Sequence, residues 1–127
     1  MTTKDNLTPE EKESLKILIT QIEDGEMSQV EDLMQNCNNV FQFAKTHSVY
    51  IRDWEKTKEK MESDLENGIL PPGISENLYK EIIDATDNII KKKLEMVQYA
   101  FEIKFGESIY NYLGHDGKTK KIFGIFG

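Results

Sequence analysis

Two histidines, one cysteine and a scatter of carboxylates are the side chains in this 127-residue chain that could carry chemistry, and their spacing assembles no reaction centre. His47 and His115 stand far apart. No Glu-x-x-His pair occurs, so the ligand pattern of a di-iron carboxylate bundle is missing. Neither HExxH nor CxxC is present to hold zinc. His47 lies in an apolar row. Its chemical readings are a buried pH-sensitive imidazole or an axial haem ligand, and a partly exposed or hydrogen-bonded core histidine is the favoured one. His115 belongs to Gly114-His115-Asp116-Gly117, where turn chemistry accounts for it. Gly117-Lys118-Thr119 has the ending of a phosphate-binding loop, but the glycine required five residues before Gly117 is replaced by Tyr112.

Asp84 and Asp87, with Glu81 one turn before, fall largely opposite the Ile82/Ile89/Ile90 face and are expected to be solvated. Lys91-Lys92-Lys93 would wrap a helix at about 100° intervals and form no single basic patch, with Lys93 laying its stem along the apolar side. No activated nucleophile, metal or cofactor is expected, and the chain reads as non-enzymatic.

Composition narrows the class. Charged residues make up 31% and hydrophobic residues 38%, with only three Pro, the profile of a helix-rich domain with one modest core. No apolar run approaches the roughly 18 residues of a membrane span, and the first sixteen residues contain no apolar core of a secretion signal. The single cysteine, Cys37, cannot form an internal disulfide and suits a reducing cytoplasm. Residues 1–69 carry 8 basic and 15 acidic side chains, whereas residues 70–127 carry 8 of each. That acidic front half argues against binding phosphate backbones and admits a basic protein partner.

The elements follow from caps and periodicity. Thr8-Pro9-Glu10-Glu11 predicts a helix start. Leu15, Leu18, Ile19 and Ile22 form its apolar face, and Gly25 offers a stop. A second start is expected at Ser28. From Val30 to Leu65 the chain keeps a seven-residue repeat, with Val30, Cys37, Ala44, Ile51, Lys58 and Leu65 in one row and Leu33, Val40, His47, Trp54 and Met61 in the other. This stripe predicts either one helix over 28–67, about 60 Å long, or two with a restart at Ser48. Its flanks are apolar up to about residue 46 and polar beyond, so 28–46 should lie in the core and 50–67 should pair more sparingly.

Asn67-Gly68 and Pro71-Pro72-Gly73 predict an extended connector, and Ser75 a cap for a helix ending near Gly106. Ser108–Leu113 reads as a short helix, or as a strand paired with 120–123 through an Asp116-Gly117 turn. Residues 1–7 are expected to be disordered, and 118–127 form a basic, then apolar, tail that folds over the core or docks into a partner.

The resulting expectation is a single all-α domain, an antiparallel bundle of three to four main helices with a short irregular or helical C-terminal segment. Its expected function is protein–protein interaction, as a small acidic adaptor, inhibitor or immunity-type regulator. The candidate partner-binding residues are His47, Ile51, Trp54, Lys58, Met61 and Leu65 on the stripe, and Ile122, Phe123 and Phe126 in the tail. Two alternatives remain open. One is a self-assembling subunit in which Lys58 sets the register; the other is a ligand sensor with an apolar cavity near Phe41, Phe43, Tyr99 and Phe101.

Overall fold

Three long amphipathic stretches, each opened by a side-chain cap, dictate the architecture. The computed structural model describes residues 7–118. Helix α1 (Pro9–Asn36) begins with the expected capping box: the Glu11 N–H donates to Thr8 Oγ1 at 3.1 Å and the Thr8 N–H donates to Glu11 Oε1 at 3.0 Å. Helix α2 (Val40–Glu66) starts at Asn39, whose side-chain oxygen accepts the Gln42 N–H at 2.8 Å. Helix α3 (Glu76–Phe105) starts at Ser75, whose hydroxyl accepts the Leu78 N–H at 3.2 Å. It ends at Gly106, which takes the left-handed conformation (φ 70°) common at helix C-termini. A single 3-10 turn follows at Ile109–Asn111.

The helices run up, down and up, so consecutive elements are antiparallel and α1 and α3 are parallel. Leu15 meets Leu78 at one end, Glu26 pairs with Lys93 near the middle, and Lys104 Nζ donates to the Met34 carbonyl at the other. On α2 the order is reversed, with Phe43 against Phe101 and Trp54 beside Asp87. The main core lies where all three helices and the 3-10 turn converge. Leu33, Phe43, Val97 and Phe101 are completely buried there. Phe43 meets Phe101 and Phe105 edge-on, with ring centroids 5.2 and 5.7 Å apart, an orientation aromatic quadrupoles favour. A smaller cluster of Leu7, Leu15 and Leu78 closes the opposite end.

The all-α bundle follows the sequence expectation, but the first two helix boundaries do not. α1 passes straight through Gly25, and Ser28 caps nothing. The stripe residues Val30 and Leu33 belong to the end of α1, and the chain breaks at Cys37–Asn39. There is accordingly no helix over 28–67 and no restart at Ser48, which is buried inside α2. Three asparagines around Cys37 supply the turn and cap chemistry that ends one helix and starts the next. The heptad repeat therefore continues across two helices that fold back on each other, and both buried segments keep their apolar rows.

Leu7 is buried against Leu15 and Leu78, so the seventh residue is anchored, contrary to its assignment to a disordered arm. Residues 1–6 lie outside the described residues. Phe41, Phe43, Tyr99 and Phe101 do not enclose a cavity: Phe43 and Phe101 fill the core, while Tyr99 is 69% exposed.

Gly25 stands in the interior of α1 on its exposed side, and a Cβ added there would meet nothing within 4 Å. Gly25→Ala is expected to raise stability by about 0.5–1 kcal/mol, through helix propensity alone, as measured by urea unfolding.

Candidate functional site: a groove between the second and third helices

Convergence at one end of the bundle leaves α2 and α3 less closely packed toward the other, and the stripe changes character accordingly. Up to Ile51 its residues are buried or nearly so; Trp54, Lys58, Met61 and Leu65 are only half-buried. The division expected near residue 46 therefore falls one turn later. Of the stripe residues expected at a partner-binding surface, His47 is 2% exposed and belongs to the interior, and Ile51, at 4%, is covered except where it forms the bottom of a cleft. The surface part of the stripe begins at Trp54. Ile122, Phe123 and Phe126 lie outside the described residues.

From Ile51 onward a cleft of about 550 Å³ opens along the seam. Ile51, Trp54, Ile90 and Leu94 form its apolar floor. α2 contributes Glu55, Glu59 and Glu62 to the walls, and the 116–118 loop closes one end with Asp116 and Lys118. Beyond Glu62 a second hollow of about 230 Å³ continues between Leu65 and Ile83.

The cations lining the main cleft are all engaged within the chain. Lys58 and Lys91 reach Asp87 from two sides, each at 3.2 Å, and Lys118 Nζ lies 2.8 Å from Glu55 Oε2. Trp54 Nε1–H donates to Asp87 Oδ1 at 3.4 Å. Burial opposes the charge on Asp87, yet the hydrogen bonds from Lys91, Lys58 and Trp54 together hold its carboxyl below the usual range. Lys58, the seam residue that could set a register between copies, is thus held by its own chain. Glu59 and Glu62 make no ion pair among the described residues, and both are exposed. The groove therefore combines an apolar floor with free negative charge on one wall, properties that follow from the period of α2 and from its polar flanks.

The loop at the groove's end was legible as a turn. The Gly117 N–H donates to the Gly114 carbonyl at 3.0 Å and the Gly114 N–H to the Lys118 carbonyl at 2.8 Å, while Gly117 takes φ +83°. This is the bonding of a three-residue hairpin connection with a left-handed glycine. The preceding helical piece is shorter than 108–113, a single 3-10 turn.

Sequence reasoning missed what this loop covers. A Cβ on Gly117 would lie 2.8 Å from Leu94 Cδ2, 2.9 Å from Ile51 Cγ1 and 3.4 Å from His47 Nε2, so the glycine backbone seals the His47 ring. Burial, and secondarily the charge of Lys93, pull the His47 pKa down to about 3 and keep the imidazole neutral. His47 Nδ1 and the neighbouring Ser48 Oγ have no hydrogen-bond partner among the described residues. The cavity beside them measures about 10 Å³, space for no more than one water and none for a haem.

Lys93 is a second buried titratable group. Its stem follows the apolar side as expected, but its head is also covered. Nζ lies 2.7 Å from Glu26 Oε2, also donates to Gln29 Oε1, and stands 5.1 Å from the centre of the Tyr50 ring. One ammonium thus links α1, α2 and α3.

Among the described residues no group of three or more His, Cys, Asp or Glu side chains could hold a metal ion, and no helix is long and apolar enough to cross a membrane. Comparison with protein families, with curated proteins and with solved structures gives no match.

Two outcomes follow from the His47 seal. Because the folded-state pKa lies below the unfolded value of 6.5, the unfolded chain binds more protons between those limits. His47 should therefore reduce stability by about 1.4 kcal/mol per pH unit on acidification below 6.5, and contribute no slope above it. Urea unfolding at neutral pH and at about pH 5 measures this, and His47→Leu should remove that slope. Gly117→Ala should cost about 1–3 kcal/mol, since the new methyl overlaps Leu94 and Ile51 and the left-handed backbone disfavours alanine.

Proposed function

We propose that the chain is a non-enzymatic interaction module whose α2–α3 groove receives a protein segment carrying lysine or arginine next to large apolar side chains. The observation behind this reading is the asymmetry of the groove: its own lysines are paired while Glu59 and Glu62 are free, above a floor of Ile51, Trp54, Ile90 and Leu94. Apolar side chains from a partner would bury against the floor, and its cations would neutralise the two glutamates. Apolar contact supplies affinity, and the charges supply orientation and on-rate. An acidic adaptor, inhibitor or regulator acts by this kind of contact. A reducing compartment suits the module, because Cys37 is buried as a free thiol at the α1–α2 link.

Trp54 is the single tryptophan and lines the groove, so it reports occupancy directly. A synthetic peptide containing adjacent lysines followed by isoleucine and phenylalanine should change Trp54 emission saturably. Glu59→Lys with Glu62→Lys should weaken that binding about tenfold or more without lowering the thermal midpoint, and added salt should weaken it in the unaltered protein. Equal binding of an acidic peptide with the same apolar residues, or indifference to the charge reversal, would overturn the reading.

A further inference from the structure

Helix α3 carries a second apolar row, on a side that neither the core nor the groove uses. Ala85, Ile89, Lys92, Met96, Tyr99 and Ile103 recur at alternating steps of four and three residues, the spacing of a coiled-coil seam. Met96, Tyr99 and Ile103 are 41%, 69% and 62% exposed. Single exposed apolar side chains are ordinary, but a row in register along about 27 Å of helix is not. From this row we infer that the outer face of α3 is a second interaction surface, which receives an amphipathic helix whose apolar stripe is edged on both sides by lysine or arginine.

The surface has relief as well as pattern. Met27 of α1, 37% exposed, widens the row at its middle, and a hollow of about 110 Å³ lies between Met27, Ile89 and Met96. A side chain from a facing helix can insert there as a knob into a hole.

The edges decide the occupant. Glu23 stands exposed on the α1 side of the hollow, and Glu95 and Glu102, seven residues apart, are exposed along the other edge of the row. A second copy of the chain would set acid against acid in either orientation. Antiparallel seams face each flank with its own kind, and parallel seams bring the Glu95 edge of one copy to the Glu23 edge of the other. Charges of one sign facing across a seam reject that pairing, whereas basic flanks satisfy both edges. Lys92 is the one charged residue in the row and forms no ion pair among the described residues. A carboxylate opposite it fixes the register of the incoming helix.

This surface goes beyond the α2–α3 groove and does not depend on it. Asp87, Ile90, Lys91 and Leu94, which α3 gives to the groove, project about half a turn away from the row. Both surfaces can therefore be occupied together, so one small domain can bridge two segments.

The test uses a labelled synthetic helix with leucine at the seam positions and lysine at both flanks, followed by fluorescence anisotropy with the full chain. It should bind saturably, and the same helix with glutamate at the flanks at least tenfold more weakly. Tyr99→Ser/Ile103→Ser should weaken binding about tenfold without lowering the thermal midpoint, and should leave the Trp54 response to the groove peptide unchanged. Glu95→Lys/Glu102→Lys keeps the apolar row and should reverse the preference between the two helices. Glu59→Lys/Glu62→Lys alters net charge equally and should leave the preference as it was. No binding of the lysine-flanked helix, or equal affinity in the parent and the Tyr99/Ile103 variant, would overturn the inference. Loss of that binding on charge reversal in the groove would assign the helix to the groove, also overturning it. A dimer of the unaltered chain in sedimentation that Tyr99→Ser/Ile103→Ser abolishes would assign the row to a second copy and overturn the basic partner. The Trp54 response judges the groove reading separately in every case.

Discussion

The edge-on packing of Phe43 against Phe101, set beside a link of only three residues between α1 and α2, decides where the helices converge and therefore where they part. With Cys37–Asn39 as the whole connection, the end of α1 and the start of α2 must lie together, and the largest side chains of the core gather there. The 3-10 turn then brings Ile109 and Leu113 onto the same cluster. At the other end the connection from Asn67 to Ser75 is longer and contains Pro71 and Pro72, so nothing forces α2 close to α3. Shared burial is replaced along the seam by half-buried side chains bridged through Asp87. The groove is a direct result of that unequal clamping.

Two titratable side chains inside the bundle illustrate opposite solutions to the same electrostatic problem. Lys93 is surrounded by Glu26, Gln29 and the face of Tyr50, contributed by α1 and α2. A buried charge paired in this way is costly to orphan, so its geometry ties the three helices to one arrangement. Among the described residues His47 has no counter-charge. It is kept uncharged beneath the Gly117 backbone, and its cost appears only when protons become abundant.

Periodicity and caps made most of this legible. Thr8, Ser75, Gly68 and Gly106 all act as their residue types imply, because capping is local chemistry. The apolar rows of 30–65 correctly marked buried faces and a transition to a thinner seam. What they could not convey was that the rows change helix at Cys37, since a repeat measures phase along the chain and is blind to a reversal that preserves phase. The cluster Asn36, Asn38, Asn39 carried that information. Gly25 misled in the opposite direction: its intrinsic penalty of about 1 kcal/mol is outweighed by the faces from Leu15 to Leu33, which require one continuous α1. The sealing of His47 by Gly117 joins residues seventy positions apart and had no local signature.

The parallel course of α1 and α3 has an electrostatic consequence. Their two N-termini lie side by side, bridged by the Ser75 hydroxyl donating to Glu11, whose carboxyl this hydrogen bond holds below its usual range. The C-terminus of α2 arrives at the same end carrying Asp64 and Glu66, with no basic residue in its last turn. Within α2 that arrangement is unfavourable, because carboxylates crowd the negative pole of the helix. The two neighbouring positive poles offset it only while α2 stays folded alongside them. The last turns of α2 are therefore the first part of the bundle expected to fray, an opening that widens the cleft while leaving the aromatic core untouched.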